Sequence, residues 1–247
     1  MKILLTATVT PQVVWDLHIR EPAVRRAQYV ESLRRWIPAA ERQEADLVIV
    51  ENSGEDLERL VRDAVGRVRS SVHLLPAPPP SDADVARGKG AAEAAMMDLF
   101  CATFPEDDPA EPWYKATGRL FVRNLDRCIP AVLPECSVVA RVALNMRQMD
   151  TRFFGASAGV WRRHFVDAGR QVDDHQEIFL ERVLVRRLLT AMGEGTQLMR
   201  FAAQPAWYGR SGTHADRVYD SFPNRVKRLA TNQLDALLRG PLKGKQF

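Results

Sequence analysis

A chain of 247 residues, 46% hydrophobic and 27% charged, has room for one large domain or two small ones and the make-up of an ordinary soluble globular protein. Its net charge of +4 is unevenly placed: from Ser221 to Phe247 six Lys/Arg face a single acid, Asp235, so that segment carries +5 and the rest is near −1. A basic tail on a nearly neutral body excludes a general nucleic-acid coat and points to a local anionic partner.

Cys101, Cys128 and Cys136 form no closely spaced metal-ligand pair, and the odd count suits a reducing compartment without a disulfide framework. No apolar run approaches the roughly 18 residues of a membrane span. The start "MKILLTATVTP" lacks the apolar stretch and small-residue cleavage site of a signal peptide, so a cytoplasmic protein is expected.

"KILLTATV" reads as a first strand. In "EPAVRRAQYVESLRRWI" the residues Val24, Ala27, Val30, Leu33 and Ile37 recur at helical spacing, and Pro22 suits a first turn. "ADLVIVEN" (45–52) is a nearly continuous apolar run, as in a strand covered on both faces. Ser53 is placed to cap "GEDLERLVRDAVGRV", with Asp56 in the capping-box position. "SVHLLPAP" is a third strand. A β-α-β-α-β series with short connections predicts a parallel sheet with right-handed crossovers, a Rossmann-like half.

The proline-rich loop "PAPPPSDADVARGKG" (76–90) opens into a helix, "AAEAAMMDLFCATF", and a second acidic loop, "PEDDPAEP", precedes "WYKATGRLFVRN". That last stretch reads as a fourth strand carrying Lys115, Arg119 and Arg123 at four-residue spacing, which strict alternation puts on one face. After "SVVARVALNMRQMDTRFFGAS" the pattern turns helical, in "VWRRHFVDAG" and "EIFLERVLVRRLLTAM". With no repeat or low-complexity linker, one α/β domain with added C-terminal helices is expected.

Ligands of open parallel sheets bind at the carboxyl ends of the strands. "TATVTP", "ENSG", "RGKG" and "KATGRLF" all fall there. The ordered set "ENSG" (51–54), "GKGAAE" (88–93), "YKATGRLFVRN" (114–124) and "DTRFFGASAGVW" (150–161), with "VDDHQEIFLE" (172–181) downstream, resembles bacterial proteins of polysaccharide biosynthesis loci. These are glycosyltransferases with a nucleotide-diphospho-sugar transferase, GT-A-like, fold, and the resemblance runs from about residue 3 to 220. It implies a single GT-A-like domain over 1–220, with a nucleotide-binding half about 1–125 and an acceptor half about 126–220, followed by a basic segment 221–247. It also implies transfer of a sugar from a nucleotide-sugar donor to a surface glycan or lipid-linked precursor.

Glycosyl transfer leaves negative charge on a phosphate oxygen, and positive charge set in place beforehand must meet it. Many enzymes of this fold use a divalent metal on an Asp-x-Asp pair after the fourth strand; this chain has "TGR" there. Lys115, Arg119 and Lys89 are therefore candidate phosphate ligands with no metal required, Thr117 lies between them, and Gly118 allows close backbone approach. The competing reading puts the cations on a solvated face or against carboxylates; Arg123 is read that way. Asp82 and Asp84 form an Asp-x-Asp pair that could grip Mg²⁺ or Mn²⁺, but they sit in a proline-rich loop before a different element. Glu93 is placed to contact the donor or to pair with Lys89 along the helix.

Glu51 and Asn52 end a strand where a base or ribose could be read, although Asn-Ser-Gly is also good turn chemistry. Thr6 and Thr8 have a similar standing at the end of the first strand. A base for the acceptor hydroxyl is usually a carboxylate. Asp174 and Glu177 have a capping explanation, whereas Glu181 sits inside the helix and matches the acidic residue of the family's downstream motif. Asp150 is its rival as base, and Arg152 could hold a carboxylate or a phosphate. His164 and His175 do not show the residue arrangement of a nucleophilic triad and read as ordinary. "GRSGTHADRVY" (209–219) is a candidate lining of the acceptor side.

The tail "NRVKRLATNQLDALLRGPLKGK" reads as an amphipathic helix whose cations rim an apolar face. It either packs on the domain or meets an anionic membrane surface, which would place the protein peripherally at the inner membrane face. The competing functions are a nucleotidyltransferase that makes a sugar nucleotide, and a non-catalytic nucleotide-binding or membrane-tethered assembly protein.

Overall fold

The computed structural model describes residues 1–14, 17–104, 108–130 and 132–210. Nine strands and seven α-helical segments alternate along it. They are β1 (Lys2–Ala7), α1 (Pro22–Arg42), β2 (Asp46–Glu51), α2 (Leu57–Val65), β3 (Val72–Pro76), α3 (Asp82–Arg87) and α4 (Lys89–Thr103). There follow β4 (Pro112–Thr117), β5 (Phe121–Val122), α5 (Leu125–Cys128), β6 (Ser137–Val139), β7 (Phe153–Ser157) and α6 (Ala158–Val160). The last are α7 (Leu180–Gly193), β8 (Gln197–Met199) and β9 (Trp207–Tyr208).

Seven strands form one mixed sheet in the order β3-β2-β1-β4-β7-β6-β8. The first four in that order are parallel, as the crossover pattern predicts, and β7 enters antiparallel beside β4, with Tyr114 opposite Gly155 and Lys115 opposite Phe154. The sheet thus draws strands from both sides of residue 125. β5 leaves it and pairs with β9 in a separate two-stranded ribbon.

Alternation along the buried strands feeds two cores. Ile3, Leu5, Leu47, Ile49, Tyr114 and Ala116 face α1 and α2, whereas Leu4, Val48, Val50, Trp113 and Phe154 face α4 and α7. Gly155 is required by this packing. A Cβ there would stand 2.4 Å from the Tyr114 ring, which is itself stacked on Phe153 with centroids 5.6 Å apart. The glycine in the strand is a seat for an aromatic ring.

Three local expectations change. Asp56, not Ser53, caps α2, accepting from the Arg59 amide at 3.0 Å; Ser53 accepts instead from the amides of Val9 and Thr10. The buried stripe of α1 runs through Arg25, Tyr29, Ser32, Leu33, Trp36 and Ile37, while Val24 is 47% exposed. Burying Tyr29 and Trp36 removes far more apolar area than burying Val24 and Ala27, so the helix turns its aromatic side inward. Finally, β4 stops at Thr117, and residues 118–119 form a turn, so Arg119 and Arg123 do not share a strand with Lys115. Cys101, Cys128 and Cys136 all remain thiols. Among the described residues no helix is long and apolar enough to cross a membrane.

Candidate active site

The carboxyl ends of β1, β2 and β4 meet at one rim of the sheet, and β7, running the other way, delivers its beginning there. The Thr117 amide donates to the Arg152 carbonyl at 3.0 Å, which ties the two strands together at that edge. Thr8 donates its hydroxyl to Asn52 Oδ1 at 2.6 Å, so two of the residues singled out in the sequence join adjacent loops. Glu51, 1% exposed, is committed to loop building: it accepts from the amides of Val9, Ser53 and Glu55 and from the Ser53 hydroxyl. With its oxygens so engaged it supports the rim rather than presenting a carboxylate to a ligand.

On the α4 side of the rim lies a chain of polar groups. Lys115, fully buried, donates to Glu93 Oε1 at 2.5 Å and to the Thr151 carbonyl at 2.7 Å, with Thr117 Oγ1 at 3.3 Å. Glu93 Oε1 also accepts from Thr6 Oγ1 at 2.9 Å, and the Thr151 hydroxyl donates to Glu181 Oε1 at 3.0 Å. An ammonium has three protons, and three acceptors surround this one. Lys115 is therefore neither on a solvated face nor open to a phosphate; it is a buried cross-brace between α4, β4 and the start of β7.

The two carboxyl groups of this polar chain are pushed in opposite directions. Burial raises the proton affinity of Glu93, but the Lys115 charge, its hydrogen bond and that of Thr6 outweigh it, leaving Glu93 below the ordinary glutamate range. Glu181 is raised, first by burial and then by the negative charge of Glu93, against its own amide, Thr151 and Lys115. Glu181 lies in the first turn of α7, whose start is tied to the rim by the Met149 amide donating to the Glu181 carbonyl at 3.1 Å.

The amino end of α4, where "GKG" suggested a phosphate cradle, already holds an anion. Asp174, 1% exposed, accepts from the Gly90 amide at 3.1 Å and is also hydrogen-bonded to the Lys89 backbone. Gly88, at φ +109°, has no room for a Cβ, which would stand 2.4 Å from the Asp174 carboxylate. Asp174 thus caps a helix distant in sequence instead of its own downstream helix; Asp173 serves the local turn, accepting from the amides of His175 and Gln176. Burial raises Asp174, partly countered by these amides and by Lys89. The amides of Lys89 and Gly90 are occupied, and Lys89 itself is half-buried. His175 is exposed and His164 is buried away from this rim, in a π-helical turn.

On the α1 side, Gly118 bolts the β4 turn to β1. Its amide donates to the Thr6 carbonyl at 2.9 Å, and a Cβ would stand 2.7 Å from that oxygen and 3.2 Å from the Tyr29 ring. The close approach this glycine permits is to its own neighbouring strand. Trp36 and Ser32 of α1 both donate to the Leu120 carbonyl, fixing the turn from its other end. Arg119 reaches out of it to Gln28 Oε1 at 3.0 Å. Across the rim, Arg152 holds Asp150 in a fork, Nε–Oδ1 2.8 Å and a terminal nitrogen–Oδ2 2.5 Å, with its guanidinium 5.0 Å from the Trp207 ring centre. Asp150 is thereby a partner of Arg152, which leaves Glu181 the less committed carboxyl.

Asp84 is turned to the Ser81 hydroxyl and to Arg87, at 2.6 and 2.7 Å, and Asp82 lies exposed in the first turn of α3. Among the described residues no three His, Cys, Asp or Glu side chains group as a metal site. The acceptor-side stretch from 211 onward and the basic tail lie outside the described residues. Two participants escape a sequence reading: Thr151, a common residue made important by its place in the chain of hydrogen bonds, and Arg25, hidden in an amphipathic helix.

No family model matches the chain, and no curated protein matches it. Among solved structures it is similar to the galactosyltransferase LgtC in complex with donor and acceptor sugar analogues, with 12% identity, 81% of this chain and 73% of that one covered, and a TM-score of 0.48. It is also similar to mouse xyloside xylosyltransferase 1 (8% identity, 81% and 83% covered, TM-score 0.40). A third is 4-diphosphocytidyl-2C-methyl-D-erythritol synthase (14% identity, 93% and 97% covered, TM-score 0.40). Likeness at this level assigns no residue of this chain a role.

Proposed function

We propose that this chain is a GT-A-like glycosyltransferase that moves a sugar from a nucleotide-sugar donor to a bacterial surface glycan or its lipid-linked precursor. The observation that carries the reading is the polar chain at the rim: buried Lys115 donates to Glu93 and to the Thr151 carbonyl, the Thr151 hydroxyl donates to Glu181, and the two carboxyls are pushed in opposite directions. Such a divergence marks groups with different tasks. The ordered motifs that resemble polysaccharide-locus glycosyltransferases fall on this same rim and support the reaction class.

In this reading the acceptor hydroxyl attacks the anomeric carbon of the donor. Its proton passes to the Glu181 carboxylate, the new carbon–oxygen bond forms, and the bond to the β-phosphate breaks with its electron pair going to the phosphate oxygen. Arg119 meets that developing charge, so no metal is required. The engagement of Asp84 with Ser81 and Arg87 supports a route without a chelated ion. Thr8 and Asn52 line the base side; residues 1–125 hold the donor and 126–220 the acceptor. The protein works in the cytoplasm at the inner membrane face, where the basic segment 221–247 meets anionic lipid.

The test is a melting-temperature screen against sugar nucleotides with EDTA present, followed by turnover of whichever donor stabilises the protein. Glu181→Gln should bind that donor like the wild type and lose roughly 10²–10⁴ in kcat. Normal turnover by that variant would remove Glu181 as the base.

A further inference from the structure

The end of β1 is bracketed by two guanidinium groups that form no ion pair with a carboxylate among the described residues. Arg25, 4% exposed, donates from Nε to the Thr8 carbonyl at 2.8 Å and from a terminal nitrogen to the Ile19 carbonyl at 3.2 Å. Its other terminal nitrogen also donates to the Thr8 carbonyl, and the Tyr29 hydroxyl is a further side-chain partner, so every one of these partners is uncharged. Arg119 donates to the neutral amide oxygen of Gln28, one turn along α1 from Arg25, and its Nε is shielded from solvent with no acceptor among the described residues. Glu51 is the carboxylate whose field reaches Arg25, and its oxygens are already held by the loop amides. Burial, reinforced by the Arg119 charge, pulls Arg25 below the usual guanidinium range against the opposing effects of Tyr29 and Glu51.

A buried guanidinium within the field of a second, half-buried one that has an orphaned donor costs free energy that their own fold does not return. We infer that Arg25 and Arg119 form the seat of a diphosphate anion on the α1 side of the rim, with Arg119 touching the ligand and Arg25 fixing the β1 loop beneath it and adding charge. A guanidinium presents five N–H groups in a planar fork, and both residues have donors left after their protein bonds. The α4 end of the rim is closed to a phosphate by Asp174, so the two sides are complementary: one carries a built-in anion, the other an unmet demand for one. The inference deepens the reading above by naming Arg25, and it can be tested without any glycosyl transfer.

Inorganic pyrophosphate in EDTA is titrated calorimetrically into the whole chain, at low salt, in wild type, Arg119→Gln, Arg25→Lys and Arg123→Gln. Wild type and the Arg123 variant, altered at an exposed cation off the seat, should bind alike. Arg119→Gln should weaken binding about tenfold or more. Arg25→Lys keeps the charge but loses the fork on Thr8, and should weaken binding less than Arg119→Gln, with a Tm somewhat below wild type. Equal affinity in Arg119→Gln and wild type, an equal loss in Arg123→Gln, or no saturable binding by wild type would overturn the seat. Nucleoside diphosphates that bind more tightly than pyrophosphate, with the same sensitivity to Arg119, identify a nucleotide as the source; equal affinities identify free diphosphate. Arg119-dependent binding without donor turnover would leave the seat standing and the glycosyltransferase reading refuted.

Discussion

Replacing Lys115 by Met separates a structural brace from a substrate ligand. The ammonium is fully buried and bonded to Glu93 at 2.5 Å and to the Thr151 carbonyl at 2.7 Å. Methionine fills much the same volume but leaves the Glu93 carboxylate facing apolar atoms, with Thr6 as its remaining donor. Breaking a buried pair by removing one partner costs about 3–5 kcal/mol; the quarter of Glu93 that stays exposed places this case at the lower end, about 3 kcal/mol. For a chain of this size that is a fall in Tm of about 6–12 °C. Lys115→Met/Glu93→Gln removes both charges and should recover most of the loss. The assay is thermal and urea unfolding of the four proteins of the cycle. A Lys115→Met protein as stable as wild type but unable to bind pyrophosphate would refute the brace and restore the lysine as a phosphate ligand.

Glu181, raised in the fold, sets a pH dependence of known sign: stability is complete below its unfolded value and is lost as pH rises through the elevated folded one. Glu181→Gln should therefore match wild type in acid and exceed it in Tm near neutrality, and a variant less stable at both ends would contradict this. Glu93 has the opposite sign, its contribution present above the ordinary carboxylate range and lost as pH falls through the depressed folded value, so the double variant should show a flatter acid limb. Gly155→Ala drives a methyl into the Tyr114 ring, which Phe153 backs at 5.6 Å, and should cost about 2 kcal/mol in urea unfolding; no loss would mean the ring can swing aside. Asp174→Ala uncovers the amides of Gly90 and Lys89 and should cost about 1–2 kcal/mol. Hydrogen exchange should quicken in the first turn of α4 and not in α7; exchange that quickens in α7 alone would disprove the long-range cap.

What could be read from the sequence was local. The apolar run 45–52 announced a buried strand, and the alternation of the first hundred residues announced a parallel sheet, because each signal is carried by neighbours in the chain. The end of β4 was not announced: "YKATGRLF" is continuous strand chemistry, and only the approach of Gly118 to the Thr6 carbonyl shows where the chain must turn. Lys115 could be picked out but not interpreted, since its meaning depends on Glu93, 22 residues away, and on Thr151, 36 residues away. Asp174 misled because a capping residue beside a helix is usually that helix's cap, whereas this one reaches 84 positions back to Gly90. Arg25 was masked by the choice of apolar face: counting Val24 and Ala27 as inward turned its side chain outward, and the weight of Tyr29 and Trp36 reverses that.

The reversed direction of β7 has a consequence for how such a molecule can diversify. Residues 143–148 form the bend of a hairpin, closed by the pairing of Val142 with Met149, that hands the chain into that strand, and Leu144 at its tip is 92% exposed. Insertions or exchanges in that projecting bend would leave both hydrophobic layers untouched, because the anchoring begins at Met149, which is buried. Yet the next residues are Asp150, Thr151 and Arg152 at the rim. The chain can therefore vary a few residues upstream of this rim without renegotiating the interior.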